Sequence, residues 1–453
     1  RLPGFVIALF LSLQPASADT VDLSLDQARD VARRALLSGD PALAVALAHR
    51  LVEAKPDDPY ALLILAAGLQ QLGDPAKGRA AGKAAWQAAS GLPYLRYEIA
   101  RHTALATLQL GEPLAAAFWL RRAVETAPDA QARTQSLSDL ATLRSRARLH
   151  FTVDVSATPS SNLNGGASGG FLIIDNSLNV GPLSGSAQAL SGQRLTEHVA
   201  LTYALSAEAL SITRIGLQAF ASQNFLSHGA QLQAPDIHGA DLNQITVEAN
   251  IARDFLLSDQ QKRPATVTLA LGETTVGGAN SGPYTRIALS VPLSTGTNWA
   301  LNANVGAERH WHPQDRIDAM TMGLSQNREL PTGATLGWSV SAAFVQGEAV
   351  NQSYHSLDAS LSYALAHPVG PISLSGSLSV GLDRYPLYLL GPFQVTKGRS
   401  DQNADLTLTA TFQDVHLLGY APTVSVDFGH AWSNISRYQT DQIALTLGYK
   451  SLF

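Results

Sequence analysis

A chain of 453 residues with a formal net charge of -5 and no cysteine leaves out disulfides, thiolate metal sites, cysteine nucleophiles and a lipobox cysteine together. The mild negative balance offers no basic face to a nucleic acid. Residue usage changes abruptly near residue 150, so two architectures are expected.

The first segment is apolar from Phe5 to Leu13 and runs into Ala16-Ser17-Ala18, the small-x-small pattern that signal peptidase cuts. Residues 1–18 read as a signal peptide, with a mature chain starting at Asp19. The apolar stretch is too short to span a bilayer as a helix. No comparable longer run follows, so a membrane crossing must be made by strands.

Residues 19–148 are rich in Ala, Leu, Arg and Glu with apolar side chains at three- and four-residue spacing, a helical pattern. Three segments open alike: Gly39-Asp40-Pro41-Ala42, Gly73-Asp74-Pro75-Ala76 and Gly111-Glu112-Pro113-Leu114. The first two lie 34 residues apart, the period of tetratricopeptide repeats, and the third 38 further on. Gly ends one helix, the acidic residue caps the next, and Pro occupies its first turn, where no amide hydrogen is needed. Pro56, Pro59 and Pro128 are expected to mark ends of second helices, and Leu137 to Arg148 a final helix. A short solenoid of this kind presents a concave face to an extended peptide or partner protein, or serves as a spacer or assembly handle.

From residue 149 to 453 the pattern becomes alternation with period two. Fourteen strands are predicted: 150–158, 196–206, 209–222, 242–254, 264–275, 282–292, 297–309, 316–328, 333–345, 354–365, 371–383, 402–413, 421–432 and 441–453. Ile372, Leu374, Leu378, Val380 and Leu382 alternate with Ser373, Ser375, Ser377 and Ser379. In the last strand Ile443, Leu445, Leu447, Tyr449 and Phe453 share one face, and Ala444, Thr446, Gly448 and Lys450 the other. With no second layer to cover them, the apolar faces suit lipid and the polar faces a wet lumen. The fold class expected is thus α plus membrane β: tetratricopeptide-like helical hairpins followed by a 14-stranded antiparallel transmembrane barrel.

The longest expected connections, 159–195, 223–241 and 384–401, are the first, third and eleventh. All are odd-numbered, as in a barrel with both termini in the periplasm and its long loops outside. Asp154, Asp358, Asp383, Asp405 and Asp427 are placed on lumen faces, with Arg214, Arg253 and Arg286. A water-filled lumen accounts for charges there, and a wall of Ser, Thr and Asp would also suit a passing polypeptide.

Asn and Gly in the stretch Pro159 to Asn164 suit a strand exit into a Gly- and Ser-rich connection. That connection is either a surface loop or a plug, and its apolar run Phe171-Leu172-Ile173-Ile174 favours a packing role. Gly165-Gly166 and Gly169-Gly170 lack the Lys of a phosphate loop. His310-x-His312 could hold a metal on a strand face, but no third ligand is fixed. His430 shares a face with Phe428 and Trp432, the setting of an aromatic girdle or, with an aligned Ser, of a membrane-surface hydrolase. No Ser, His and carboxylate set is evident, so no catalytic residue, metal or cofactor is assigned.

The segment Ala157-Thr158-Pro159-Ser160-Ser161-Asn162-Leu163-Asn164 resembles the "aPxsNxN" barrel opening of surface lipoprotein assembly modifiers. Gly419-Tyr420-Ala421-Pro422, Ser433-Asn434-Ile435 and Tyr438 through Phe453 resemble that family's "GxxP…SNI…Y…F" closing segment. The motif positions are Pro159, Asn162, Asn164, Gly419, Pro422, Ser433, Asn434, Ile435, Tyr438 and Phe453.

The resemblance implies a non-enzymatic outer-membrane translocator that brings lipoproteins or related secreted proteins to the cell surface, its helical domain docking client or chaperone in the periplasm. It also implies contact with outer-membrane lipid and with the barrel-assembly machinery through the C-terminal strand. The competing reading is an exopolysaccharide export porin, which also joins tetratricopeptide repeats to a barrel. Aromatic residues at 7% of the chain speak against a sugar conduit lined with rings.

Overall fold

The computed structural model describes residues 23–175, 178–208, 210–256, 263–296, 298–312, 315–412, 415 and 420–451. The expected signal peptide, Gly419 and Phe453 lie outside the described residues. Two compact units divide between Ser136 and Leu137.

The first unit is built of helical hairpins: α1 (Leu25–Leu37) with α2 (Pro41–Ala54), α3 (Pro59–Gln71) with α4 (Pro75–Ala88), and α5 (Pro93–Gln109) with α6 (Pro113–Glu125). A further helix, α7 (Ala130–Arg146), follows. Gly39, Gly73 and Gly111 take φ of 83°, 82° and 76°, the left-handed stop that a side chain would resist. Asp40 and Asp74 accept from the amides of Leu43 and Lys77, capping α2 and α4. Glu112 departs from the expected capping role: one methylene longer, it makes no side-chain cap and instead meets Arg79 at 2.6 Å. Pro59 opens α3 and does not end α2. Asp129 caps α7 through the Ala132 amide, so that helix starts seven residues before the expected Leu137.

Small residues set the spacing between these helices. Ala32, Ala44, Ala48 and Ala61 are fully buried, and a Cβ on Gly82 would fall 2.2 Å from Thr103 Oγ1. Backbones can approach closely only where side chains are this short.

The second unit is an up-and-down barrel. Its strands are β1 (Leu149–Ser160), β4 (Gly192–Ala207), β5 (Ser211–Leu226), β6 (Gln244–Phe255), β7 (Ala265–Val276), β8 (Ala279–Thr295) and β9 (Trp299–Trp311). It continues with β10 (Arg316–Glu329), β11 (Thr335–Gly347), β12 (Tyr354–Ala364), β13 (Ile372–Tyr385), β16 (Arg399–Phe412), β17 (Tyr420–Ser433) and β18 (Thr440–Ser451). Each pairs antiparallel with its sequence neighbour in the barrel, and β1 meets β18 to close it. Two hairpins, β2 (Phe171–Ile174) with β3 (Leu178–Pro182) and β14 (Leu389–Leu390) with β15 (Phe393–Gln394), sit in the first and eleventh connections. A helix α8 (His228–Gln233) occupies the third. The fifth is only the turn Gly277-Gly278, with φ of 60° and 78°, the backbone of a type I′ hairpin.

All fourteen predicted strands are present, most of them longer than the alternation alone marked. On the outer face Leu217, Leu269, Leu271, Val305, Met320, Leu357, Leu378, Phe428, Ile443 and Leu447 are exposed to solvent. Such a band is stable only against hydrocarbon. No described helix is long and apolar enough to cross a membrane, and the closed barrel is the architecture of an outer-membrane protein.

Candidate functional site

Register divides the wall side chains between lumen and lipid. Asp154 lies opposite His198, their side chains 3.6 Å apart. Asp358 lies beside Gly381, Asp383 beside Ser356, Asp405 beside Ser379, and Asp427 beside Thr407. All five predicted lumen aspartates therefore line the inner face, as do Arg214 and Arg286. Arg253 does not: it is registered with Thr213 and Val267, on the face of Ile251 and Leu269, and reaches Ser211 Oγ at 3.2 Å. Near a strand end a long cation can extend to the interface, so its charge did not reveal its face.

Two halves of the inner wall differ. On β5 to β9, Glu248 is buried and accepts from Gln218 Nε2 at 2.7 Å, Tyr284 Oη at 2.8 Å and Arg286 Nη2 at 2.6 Å. Tyr284 lies over Gly272, where a Cβ would come within 2.4 Å of its ring, and stacks on His310 at 5.0 Å. His310 also contacts Glu308 and stacks on His312 at 6.0 Å. The His-x-His pair is thereby engaged in stacking, and no cluster of three metal-ligating side chains occurs among the described residues.

From β11 round to β1 the wall is hydroxylic and acidic. Ser339 Oγ pairs with Ser360 Oγ at 2.7 Å, Thr407 Oγ1 donates to Asp427 at 2.7 Å, Thr409 Oγ1 pairs with Ser425 Oγ at 2.9 Å, and Thr158 Oγ1 with Thr446 Oγ1 at 3.1 Å. Each hydroxyl satisfies its neighbour and can exchange it for a passing donor or acceptor.

The odd-numbered connections gather the motif residues Ser433, Asn434, Ile435 and Tyr438 into one assembly at their end of the barrel. Asn434 Nδ2 donates to Asp175 Oδ1 at 3.0 Å and to the Gly398 carbonyl at 2.9 Å, while its Oδ1 accepts from the Ser400 amide at 2.8 Å. Ile435, fully buried, centres a cluster with Tyr388, Val395, Leu172, Ile174, Leu390 and Tyr438. Ser433 Oγ accepts from the Ile435 amide. Tyr438 is bonded to Tyr388 through their hydroxyls, and Arg399 lies 3.3 Å from its ring centroid. Burial first, then the Tyr438 partner, pushes the Tyr388 phenol up to about 12. The apolar run Phe171–Ile174 accordingly serves packing, with Ile173 N donating to Ser436 Oγ at 2.7 Å.

Asn162 and Asn164 shape the exit from β1. Asn162 Oδ1 accepts from Gly166 N at 2.8 Å. Asn164 donates to the Gln188 carbonyl at 2.9 Å and accepts from Leu190 N at 2.9 Å. Pro159 lies in β1, and Pro422 in β17 opposite Tyr449. On the outer face His430 Nδ1 contacts Asp441 Oδ1 and its ring packs on Trp432 at 4.2 Å. Among the described residues no Ser hydroxyl is bonded to that imidazole.

The helical unit carries an arginine–aromatic cluster that helical periodicity did not disclose. Arg96 and Arg122 both stack on Trp86, at 4.8 and 4.9 Å, and Arg122 also faces Phe118 at 4.3 Å and Trp119 at 4.8 Å. Burial chiefly, with Arg96 adding to it against the opposing pull of Glu125, lowers the Arg122 pKa.

No family model and no curated protein matches this chain. Among solved structures, the chain is similar to the Yersinia enterocolitica type III secretion translocator chaperone SycD, at 21% identity over 28% of this chain and 88% of that one, TM-score 0.25. The same chaperone in complex with a peptide of the translocator YopD aligns at 21% identity over 27% and 93%, TM-score 0.24. The first tetratricopeptide domain of human RPAP3 aligns at 15% identity over 27% and 92%, TM-score 0.24.

Proposed function

We propose that this protein is a non-enzymatic outer-membrane translocator that delivers lipoproteins or related secreted proteins to the cell surface. The observation that carries this reading is the joining, in one chain, of tetratricopeptide-like hairpins to a closed barrel whose inner wall, from β11 round to β1, is largely Ser, Thr and Asp. Such a wall offers exchangeable hydrogen bonds and few adhesive surfaces to an extended polypeptide. In this reading the odd-numbered connections lie outside, the helical unit faces the periplasm, and the Arg96–Trp86–Arg122 cluster offers a docking point for an acidic client or chaperone segment. Folding of the client outside would draw transport forward.

A polysaccharide conduit is less well supported. The inner-face rings Tyr284, Tyr354 and Tyr385 sit near the end of the odd-numbered connections and Phe220 lies nearer the middle of its strand, whereas a sugar track needs rings along the whole path.

A photo-crosslinking side chain at Ser379, on the inner wall beside Asp405, tests this in growing cells. Polypeptide adducts identified by mass spectrometry are expected. Glycan adducts alone would transfer the assignment to polysaccharide export.

A further inference from the structure

We propose that the outer face of β9 to β13, at the end of the odd-numbered connections, binds a membrane lipid whose headgroup carries two phosphates. The proposal needs only the barrel in its membrane and stands apart from the translocation reading.

The lipid-facing band ends there in cations. On β13 the exposed apolar row Leu374, Leu378, Val380 and Leu382 gives way to Arg384. On β10 Leu324, Met322 and Met320 give way to Asp318 and Arg316. His355, registered between Phe344 and Arg384, ends the band on β12, its ring 5.3 Å from that of Phe344. Arg309, opposite Asp318, ends it on β9 beside Trp311. Elsewhere round this end no Arg or Lys stands on the outer face of a described strand. Glu273 on β7 and Asp441 on β18 stand there instead.

The cations form two pairs. One carboxylate holds the first: Asp318 accepts from Arg309 Nε at 2.5 Å and Nη2 at 3.1 Å, and lies 3.5 Å from Arg316 Nε. A guanidinium has five N–H donors, so Arg309 Nη1 and both terminal nitrogens of Arg316 are left over. The second pair has no counter-ion. Arg384 is exposed and makes no hydrogen bond or ion pair among the described residues, and no carboxylate pairs with His355. Glu348, the other carboxylate of this surface, bonds through its amide to the Arg316 carbonyl and forms no ion pair with either set among the described residues.

In a soluble protein water would satisfy such groups. At the edge of a hydrocarbon band they select an anion that sits at the same depth, the phosphate of a lipid headgroup. Guanidinium grips phosphate through two parallel N–H bonds. Adjacent strands lie about 4.8 Å apart, so the two pairs, centred three strands from each other, are separated by about 14 Å. One phosphate cannot reach both. Two phosphates at opposite ends of a disaccharide headgroup span such a gap. Gln346 on β11, registered with Asp318, places an amide between them, where sugar hydroxyls would lie. Below the cations Met320, Phe344, Leu357 and Leu382 are exposed to the acyl chains.

Native mass spectrometry of the full-length protein in detergent micelles tests the site, with diphosphoryl lipid A, monophosphoryl lipid A and phosphatidylethanolamine as probes. The diphosphoryl lipid is expected to bind at least about tenfold more tightly than the monophosphoryl one, the second phosphate grip supplying that factor. Arg384→Gln should erase the preference, and so should Arg309→Gln combined with Arg316→Gln. Arg253→Gln, on the outer face near the opposite end of its strand, should keep it. The heat-induced gel shift reports whether each variant is folded, and the wild-type comparison needs no variant. Equal affinity of the wild type for the two forms of lipid A, binding of phosphatidylethanolamine as tight as either, or an undiminished preference in folded Arg384→Gln would overturn the proposal.

Discussion

Replacing Asn434 by Ala tests how the end assembly is held. The side chain makes three hydrogen bonds, to Asp175 Oδ1, the Gly398 carbonyl and the Ser400 amide, at 2.8 to 3.0 Å. At about 1 kcal/mol for each net bond, the local structure should lose about 3 kcal/mol. Since 1.4 kcal/mol is a factor of ten, amides of 171–175 and 434–439 should exchange about a hundredfold faster in native-state hydrogen exchange. The barrel ladder itself should be unaffected. Asn434→Asp should keep the bond from Ser400 but set a carboxylate against Asp175, loosening the same segments. Unchanged protection in these segments, or a loss spread evenly over the barrel, would refute the reasoning.

Gly272→Ala should displace the Tyr284 ring, break its bond to Glu248, and destabilise the barrel by about 1–3 kcal/mol, seen as a lower temperature for the heat-induced gel shift. Asp58→Ala should remove both the cap of α3 and the partner of Arg29, whose carboxylate is fully buried. A loss of about 3–5 kcal/mol should lower the helical transition in a full-length thermal melt followed at 222 nm and leave the strand signal in place. His102, lowered in pKa by burial and then by Arg101, binds its proton less readily folded than unfolded. Its contribution to the helical unit is therefore complete above about pH 6.5 and lost as pH falls through the depressed value, and His102→Leu should flatten that acid limb. Tyr388, pushed up to about 12, keeps its proton longer folded than unfolded. Its contribution is complete below about pH 10 and lost as pH rises toward 12, which phenolate absorbance near 295 nm will follow in wild type against Tyr388→Phe.

The strands were legible because each inner or outer position repeats every second residue and lipid requires apolar side chains on one face, so Leu374 to Leu382 or Ile443 to Tyr449 declare themselves locally. The glycine and aspartate signatures of the helical hairpins were equally local, and Glu112 failed only because its longer side chain found Arg79. The end assembly was not legible in the same way. Asn434 joins Asp175 and Gly398, residues 259 and 36 positions away, and nothing in alternation encodes such partners. The resemblance marked Asn162, Asn164, Asn434, Ile435 and Tyr438 as positions without saying what they hold. Arg253 shows the converse limit, since a charge near a strand end satisfies either face.

The most direct test of protein translocation compares surface-accessible proteins in cells with and without this gene, with secreted polysaccharide assayed in parallel. We expect specific lipoproteins or secreted proteins to leave the surface and accumulate in the periplasm while polysaccharide is unchanged. An intact surface proteome with lost polysaccharide would contradict the assignment.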